Sequence, residues 1–283
     1  MKYISRSIDK TLEEWKESTT HKPLLLRGAR QVGKSSAVRH LGTQFKYFAE
    51  VNFESAKSIA TFFKGDLDVK LISSKISNYI QVPIIPGQTL LFLDEIQACP
   101  EAIMALRFFK EDYPELHVIA AGSLLEFALQ SLPTFGVGRI HSVFMYPMTF
   151  DEFLVAMNME GLLAMRREAT AQHPLDAPFH DKLVNQFRTY LMVGGMPEAV
   201  ATWKETTDFL KCQQVHQDII LTYEDDFNKY SSRVNPELLR LTLHGVCHQI
   251  GQKFTFSRIS EGYRSVQIRE ALNLLTLAGL VIP

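Results

Sequence analysis

The stretch Pro23-Leu24-Leu25-Leu26-Arg27-Gly28-Ala29-Arg30-Gln31-Val32-Gly33-Lys34-Ser35 decides how this chain is read. A short apolar run enters a glycine-bearing turn, and the turn opens into Ser35 to Leu41, where apolar residues recur at helical spacing. The turn fits the pattern GxxxxGK[ST] at every position. Gly28 and Gly33 let the backbone curl so that successive amide N–H groups point inward, where they can meet phosphate oxygens. A helix beginning near Lys34 adds its free N–H groups and the positive end of its dipole. In such a loop Lys34 reaches the β and γ phosphates of a nucleotide and the Ser35 hydroxyl ligates Mg²⁺. Gly28, Ala29, Arg30, Gln31, Val32, Gly33, Lys34, Ser35 and Ser36 are therefore the candidate nucleotide-binding residues. A glycine turn with an exposed lysine is the bland alternative, and the strand before the motif and the helix after it argue against that.

Further strands are expected at Phe45 to Phe53, Thr89 to Leu93, His117 to Ala121 and Ile140 to Met145. Their runs are continuous rather than alternating, as in a parallel sheet with both faces covered by helices. The third strand delivers Asp94 and Glu95 at its carboxyl end, which is where ligands sit in open α/β sheets. Asp94 is the candidate Mg²⁺ ligand, directly or through a water, and Glu95 the candidate general base. The competing reading has both carboxylates merely ending a strand and capping a helix. The fourth strand ends in Gly122-Ser123, placing Ser123 as a candidate for the attacking water or γ phosphate, or as ordinary helix-capping chemistry. Arg139 follows the glycine-bearing Phe135-Gly136-Val137-Gly138 and reads either as an arginine acting on a γ phosphate or as a surface ion pair.

The 283 residues carry 30 Lys and Arg against 31 Asp and Glu, with 46% hydrophobic residues. Such a balance excludes wholesale disorder, a collagen-like chain and a polycation that coats nucleic acid. Length suggests two domains with a small third: a core over 1–149, a helical extension over 150–230 and a third unit over 231–283. Three widely spaced cysteines, Cys99, Cys212 and Cys247, fit a reducing compartment. Neither a cleavable leader nor a run of about 18 apolar residues is present, so a cytoplasmic protein without a membrane segment is expected.

In the third unit, helices are expected over Leu238 to Ile250, Ser257 to Glu261 and Ser265 to Leu277, a helix-turn-helix pattern. Gly279 to Ile282 reads as the first strand of a wing, and the chain stops there in mid-element, as a truncated domain would. This tail carries six Lys and Arg against three Glu. Ser265, Gln267 and Arg269 could face a major groove of double-stranded DNA, although such modules also serve as protein contacts or lids. His244, Cys247 and His248 share a helix face but lack a fourth ligand, so a buried cysteine beside surface histidines is expected. Glu224-Asp225-Asp226 reads as a solvated acidic stretch, and Phe144, Phe150 and Phe153 as packing between the sheet and the extension.

Together these residues resemble a family of AAA-type P-loop ATPases of bacteria and archaea. The resemblance rests on Gly28 to Ser35, on Leu91-Phe92-Leu93-Asp94-Glu95-Ile96-Gln97, on Ala121-Gly122-Ser123, on Gly138-Arg139 followed by Tyr146 to Phe153, and on Gly194-Gly195-Met196-Pro197-Glu198. It covers nearly the whole chain. It implies an α/β AAA+-like ATP-binding core, a helical extension, a winged helix and a nuclease-like carboxyl-terminal domain that this chain lacks. Many relatives have Thr where this chain has Ala121, which moves any water-positioning hydroxyl to Ser123. The resulting expectation is a Mg²⁺-dependent ATPase, DNA- or partner-dependent and able to form homo-oligomers. The alternative is an ATP-bound switch with negligible turnover.

Overall fold

The computed structural model describes residues 3–123, 125, 129, 138–228, 234–260 and 262–282. Residues 135–137 and Glu261, named above, and Arg233, one of the six basic residues counted in the tail, lie outside the described residues.

Five parallel strands form one sheet: β1 (Leu24–Arg27), β2 (Tyr47–Asn52), β3 (Thr89–Asp94), β4 (His117–Ala121) and β5 (His141–Phe144), in spatial order β2, β3, β4, β1, β5. Every residue of β3 and β4 is buried, which is why their sequences are unbroken apolar runs. Alternation survives inside these runs as a choice of face. Leu91, Leu93, Val118 and Ala120 pack toward α3 (Val69–Ile80) and α4 (Pro100–Asp112). Leu90, Phe92, Ile119 and Ala121 pack toward α1 (Ile8–Glu17) and α2 (Lys34–Gly42). The helices start where the chain supplies caps: the Asp68 side chain accepts from the Lys70 and Leu71 amides, and Pro100 occupies the first turn of α4.

The helical extension comprises α5 (Phe150–Ala156), α6 (Glu160–Glu168), α7 (Ala177–Val193), α8 (Pro197–Thr206) and α9 (Phe209–Phe227). Thr149 and Glu152 close a reciprocal capping box at the start of α5. Gly195 seats the extension on the core, since a Cβ there would meet the Met148 carbonyl oxygen at 2.2 Å. The third unit holds α10 (Pro236–His248), a 3₁₀ turn at Phe256–Arg258 and α11 (Ser265–Leu277), packed around Leu238, Leu239, Ile268 and Leu275 with Phe227 from α9.

Two expectations change here. Gly279 to Ile282 is not a strand: the Leu280 and Val281 amides both turn back to the Leu275 carbonyl, and their side chains pack into the core of this unit. Phe150 and Phe153 do pack in the extension, but Phe144 is 47% exposed, stacked on Tyr146 beneath the Arg27 guanidinium.

Arg6, just ahead of α1, binds these layers together. Its guanidinium is buried and donates to Glu152 Oε1 at 3.1 Å, to the Val32 carbonyl at 2.9 Å and to the Tyr146 carbonyl at 2.7 Å. Burial works to raise the Glu152 pKa, but hydrogen bonds from the Ser7 and Thr149 amides and the Arg6 charge outweigh it and hold the carboxyl below its ordinary value. A carboxylate held low stabilises the fold above its unfolded pKa of about 4.3, and that contribution is lost as pH falls further. Replacing Arg6 by Met should cost roughly 3–5 kcal/mol in chemical denaturation at pH 7, because it strands a buried charge. The Arg6→Met, Glu152→Gln pair should lose distinctly less, and additive losses would refute the pairing.

Candidate nucleotide site

β1 ends at Arg27 and the backbone must turn sharply under the strand-end segment that follows β5. The Met145 amide donates to the Arg27 carbonyl at 2.8 Å, and a Cβ on Gly28 would lie 2.1 Å from the Met145 carbonyl oxygen. With φ at +137°, position 28 admits only glycine. The loop then curls to Gly33, and α2 begins at Lys34.

Lys34 is buried, and its Nζ donates to the Gly28 carbonyl at 2.9 Å and the Ala29 carbonyl at 2.7 Å. Desolvation lowers its pKa to about 8 against the opposing pull of Glu95 and Asp94. The ammonium thus sits inside its own loop, bonded to backbone dipoles that the oxygens of a phosphate can replace.

Ser35 and Asp94 meet from different elements. Ser35 Oγ donates to the Asp94 carboxylate at 3.0 and 3.1 Å, and Asn52 Nδ2 donates to it at 3.4 Å from β2. Burial raises the Asp94 pKa, the Ser35 hydrogen bond lowers it, and the Glu95 charge raises it again. Two hard oxygens about 3 Å apart match the edge of an octahedron whose metal–oxygen bonds are about 2.1 Å, the geometry Mg²⁺ demands. The donor set therefore fits Mg²⁺, with phosphate and water completing the shell.

Glu95 follows Asp94 in the left-handed backbone region, with φ at +50°. Its Oε2 accepts from Gln97 Nε2 at 2.6 Å, from Ser123 Oγ at 3.3 Å and from the Ser123 amide at 3.5 Å. Ser123 is buried and also accepts from Arg30 Nε at 3.0 Å. It thus touches the candidate base rather than standing alone at the sheet edge. Beside Gly33 and Ser36 opens a cavity of about 390 Å³, walled by Tyr3, Ile4, Thr43 and Pro197 and by His40, whose ring stacks on Tyr3 at 4.2 Å.

Arg139 lies elsewhere. It precedes β5, which runs parallel to β1, so it sits at the amino-terminal edge of the sheet, opposite the loop, and pairs there with Glu111. Within one chain the surface ion pair is the observed role. Nor is the acidic stretch at the end of α9 simply solvated. Asp226 is buried against Arg30, and Glu224 pairs with Arg240. Tyr223 Oη donates to the Arg30 carbonyl at 2.9 Å. Ile219, Tyr223, Asp226 and Phe227 follow one helical stripe, a pattern that marks Asp226 as inward-facing. Arg6 has no comparable signal, since it stands outside any periodic segment. Cys247 and His244 are exposed, His244 faces Glu224 at 3.8 Å, and no group of three or more metal-ligating His, Cys, Asp or Glu occurs among the described residues.

Residues 20–154 match the family model of an AAA domain, and residues 184–283 match a domain of unknown function (DUF8612), which runs across position 230. Among curated proteins none matches. Among solved structures the chain is similar to the Walker-type ATPase PABY2304 of Pyrococcus abyssi, with a TM-score of 0.59 at 16% identity over 97% of this chain and 89% of that one. The Aeropyrum pernix ORC1 protein, solved in complex with DNA, aligns with a TM-score of 0.38 at 13% identity, over 98% of this chain and 84% of that one. The fold is that of an AAA-type P-loop NTPase.

A phosphate beside Lys34 restores its charge, so nucleotide binding should take up protons between about pH 8 and 10.5. Near pH 8 the uptake should be about half a proton, from the pKa of about 8 in the free protein. Titration calorimetry in buffers of different ionisation enthalpy measures it, and binding heats that do not depend on the buffer at pH 8 would refute it.

Proposed function

We propose that this chain binds ATP with Mg²⁺ and hydrolyses it to ADP and phosphate. The observation that carries the reading is the convergence of Lys34, Ser35, Asp94 and Glu95 on one edge of the sheet, around a loop that wraps the Lys34 ammonium. Lys34 exchanges the Gly28 and Ala29 carbonyls for β and γ phosphate oxygens. Ser35 and Asp94 hold Mg²⁺, which when bound neutralises phosphate charge. The cavity beside Gly33, walled by Tyr3, His40 and Pro197, takes the nucleobase. Glu95 accepts the proton of the attacking water as its oxygen bonds to the γ phosphorus and the β–γ bridging oxygen leaves with the bonding pair.

A second reading, an ATP-bound switch with negligible turnover, draws on the ties between Arg30 and α9, through which the extension grips the phosphate loop itself. Double-stranded DNA is the proposed ligand of the third unit, where Ser265 and Arg269 are exposed at the start of α11. Gln267 is engaged, because its Oε1 accepts from the Arg264 amide and caps the helix.

Lys34→Ala should abolish nucleotide binding in calorimetry. Glu95→Gln should keep affinity and lose about 10²–10⁴-fold in turnover. Hydrolysis that rises with duplex DNA supports a DNA-coupled ATPase, whereas tight ATP binding without turnover in either condition supports the switch. Undiminished turnover in Glu95→Gln removes that residue from its role.

A further inference from the structure

Asp226 reaches the candidate base through two intermediaries. Its Oδ2 lies 3.1 Å from Arg30 Nε, and that same N–H donates to Ser123 Oγ at 3.0 Å. A hydroxyl has one proton. With Arg30 on a lone pair of Ser123, that proton is directed to Glu95 Oε2 at 3.3 Å. The Gln97 amide and the Ser123 backbone amide fall on the same oxygen, which leaves Oε1 as the oxygen presented for proton transfer. Glu54 also touches Arg30, at 3.5 Å, but its side chain is 50% exposed against 7% for Asp226. Solvent screens the first contact far more than the second.

We propose that Asp226 is a positioning residue for hydrolysis: from the end of α9 it fixes Arg30, and through Ser123 it holds the Glu95 carboxylate with Oε1 facing the water. The inference rests on the hydrolytic reading above. It makes the placement of the helical extension a condition for turnover, because the base is aimed only while α9 sits against the phosphate loop.

The test has an arm that needs no turnover. In full-length protein labelled with ¹³C-carboxyl glutamate, the Glu95 resonance is assigned by its loss in Glu95→Gln. Asp226→Asn should move that resonance, while Asp225→Asn, which removes the same charge from the exposed neighbour, should not. In single-turnover hydrolysis Asp226→Asn should lower the rate about tenfold with ATP affinity kept within about threefold. Ser123→Ala should do the same, the double variant should be no slower than the slower single, and Asp226→Glu should recover part of the loss. An unmoved Glu95 resonance in Asp226→Asn, or rate losses that multiply in the double variant, would overturn the proposal. A wild-type protein without turnover would remove the hydrolytic reading alone, and the resonance would still decide the positioning role.

Discussion

Three buried parallel strands end level with one another, and the polar groups of Gly28 to Ser35, Asp94 and Glu95 hang from that edge. Leu26 is in register with Ala121, and Leu93 with Ala120, so Arg27, Glu95 and Gly122 emerge one position beyond the same line. A slip of one residue in either pairing would exchange the two faces of a strand and carry Asp94 and Glu95, or Ser123, away from the loop they meet. Apolar packing on both sides of the sheet is therefore what sets the distances among Lys34, Asp94 and Glu95, although none of those residues belongs to the core.

Holding so many ionisable groups out of water is costly, and the molecule offsets that cost by local pairing. Lys34 is solvated by backbone carbonyls, Asp94 by a serine and an asparagine, Glu95 by an amide and a hydroxyl, and Arg30 by two carboxylates. Each of these pairings is made within the protein itself, so the site keeps its charges compensated in the free state.

Much of this was legible in the sequence. The glycine-bearing loop, Asp94 and Glu95 are local patterns whose spacing follows from strand and helix geometry, and β3 and β4 stand out because burial on both faces makes them nearly apolar throughout. What escaped was the non-local chemistry. Nothing in Met1 to Ser7 announces that Arg6 is buried at Val32 and Glu152, since a lone arginine carries no periodicity. Asp226 was hidden by its neighbours: three acidic residues in a row suggest a solvated run, and only the helical phase separates buried Asp226 from exposed Asp225 and half-buried Glu224. Gly279 to Ile282 looked like a strand because an apolar tetrapeptide fits either a strand or a capped helix end folding onto its own core. Arg139 was ambiguous because a lone arginine before a strand carries no sequence signal of the group it faces.

The reach of Arg6 bears on how the protein comes into being on the ribosome. Its guanidinium braces the Val32 carbonyl from beneath only once Tyr146 and Glu152 have been made, and Met145 supplies the backbone that shapes Gly28. At about 5–20 residues per second, roughly 6–24 s separate the synthesis of Gly33 from that of Glu152, and Tyr223 and Asp226, which hold Arg30, follow later still. During that interval the nascent chain carries the complete loop sequence without its scaffold. The loop's sequence pattern and its three-dimensional form are thus separate events, the second dependent on residues made far downstream.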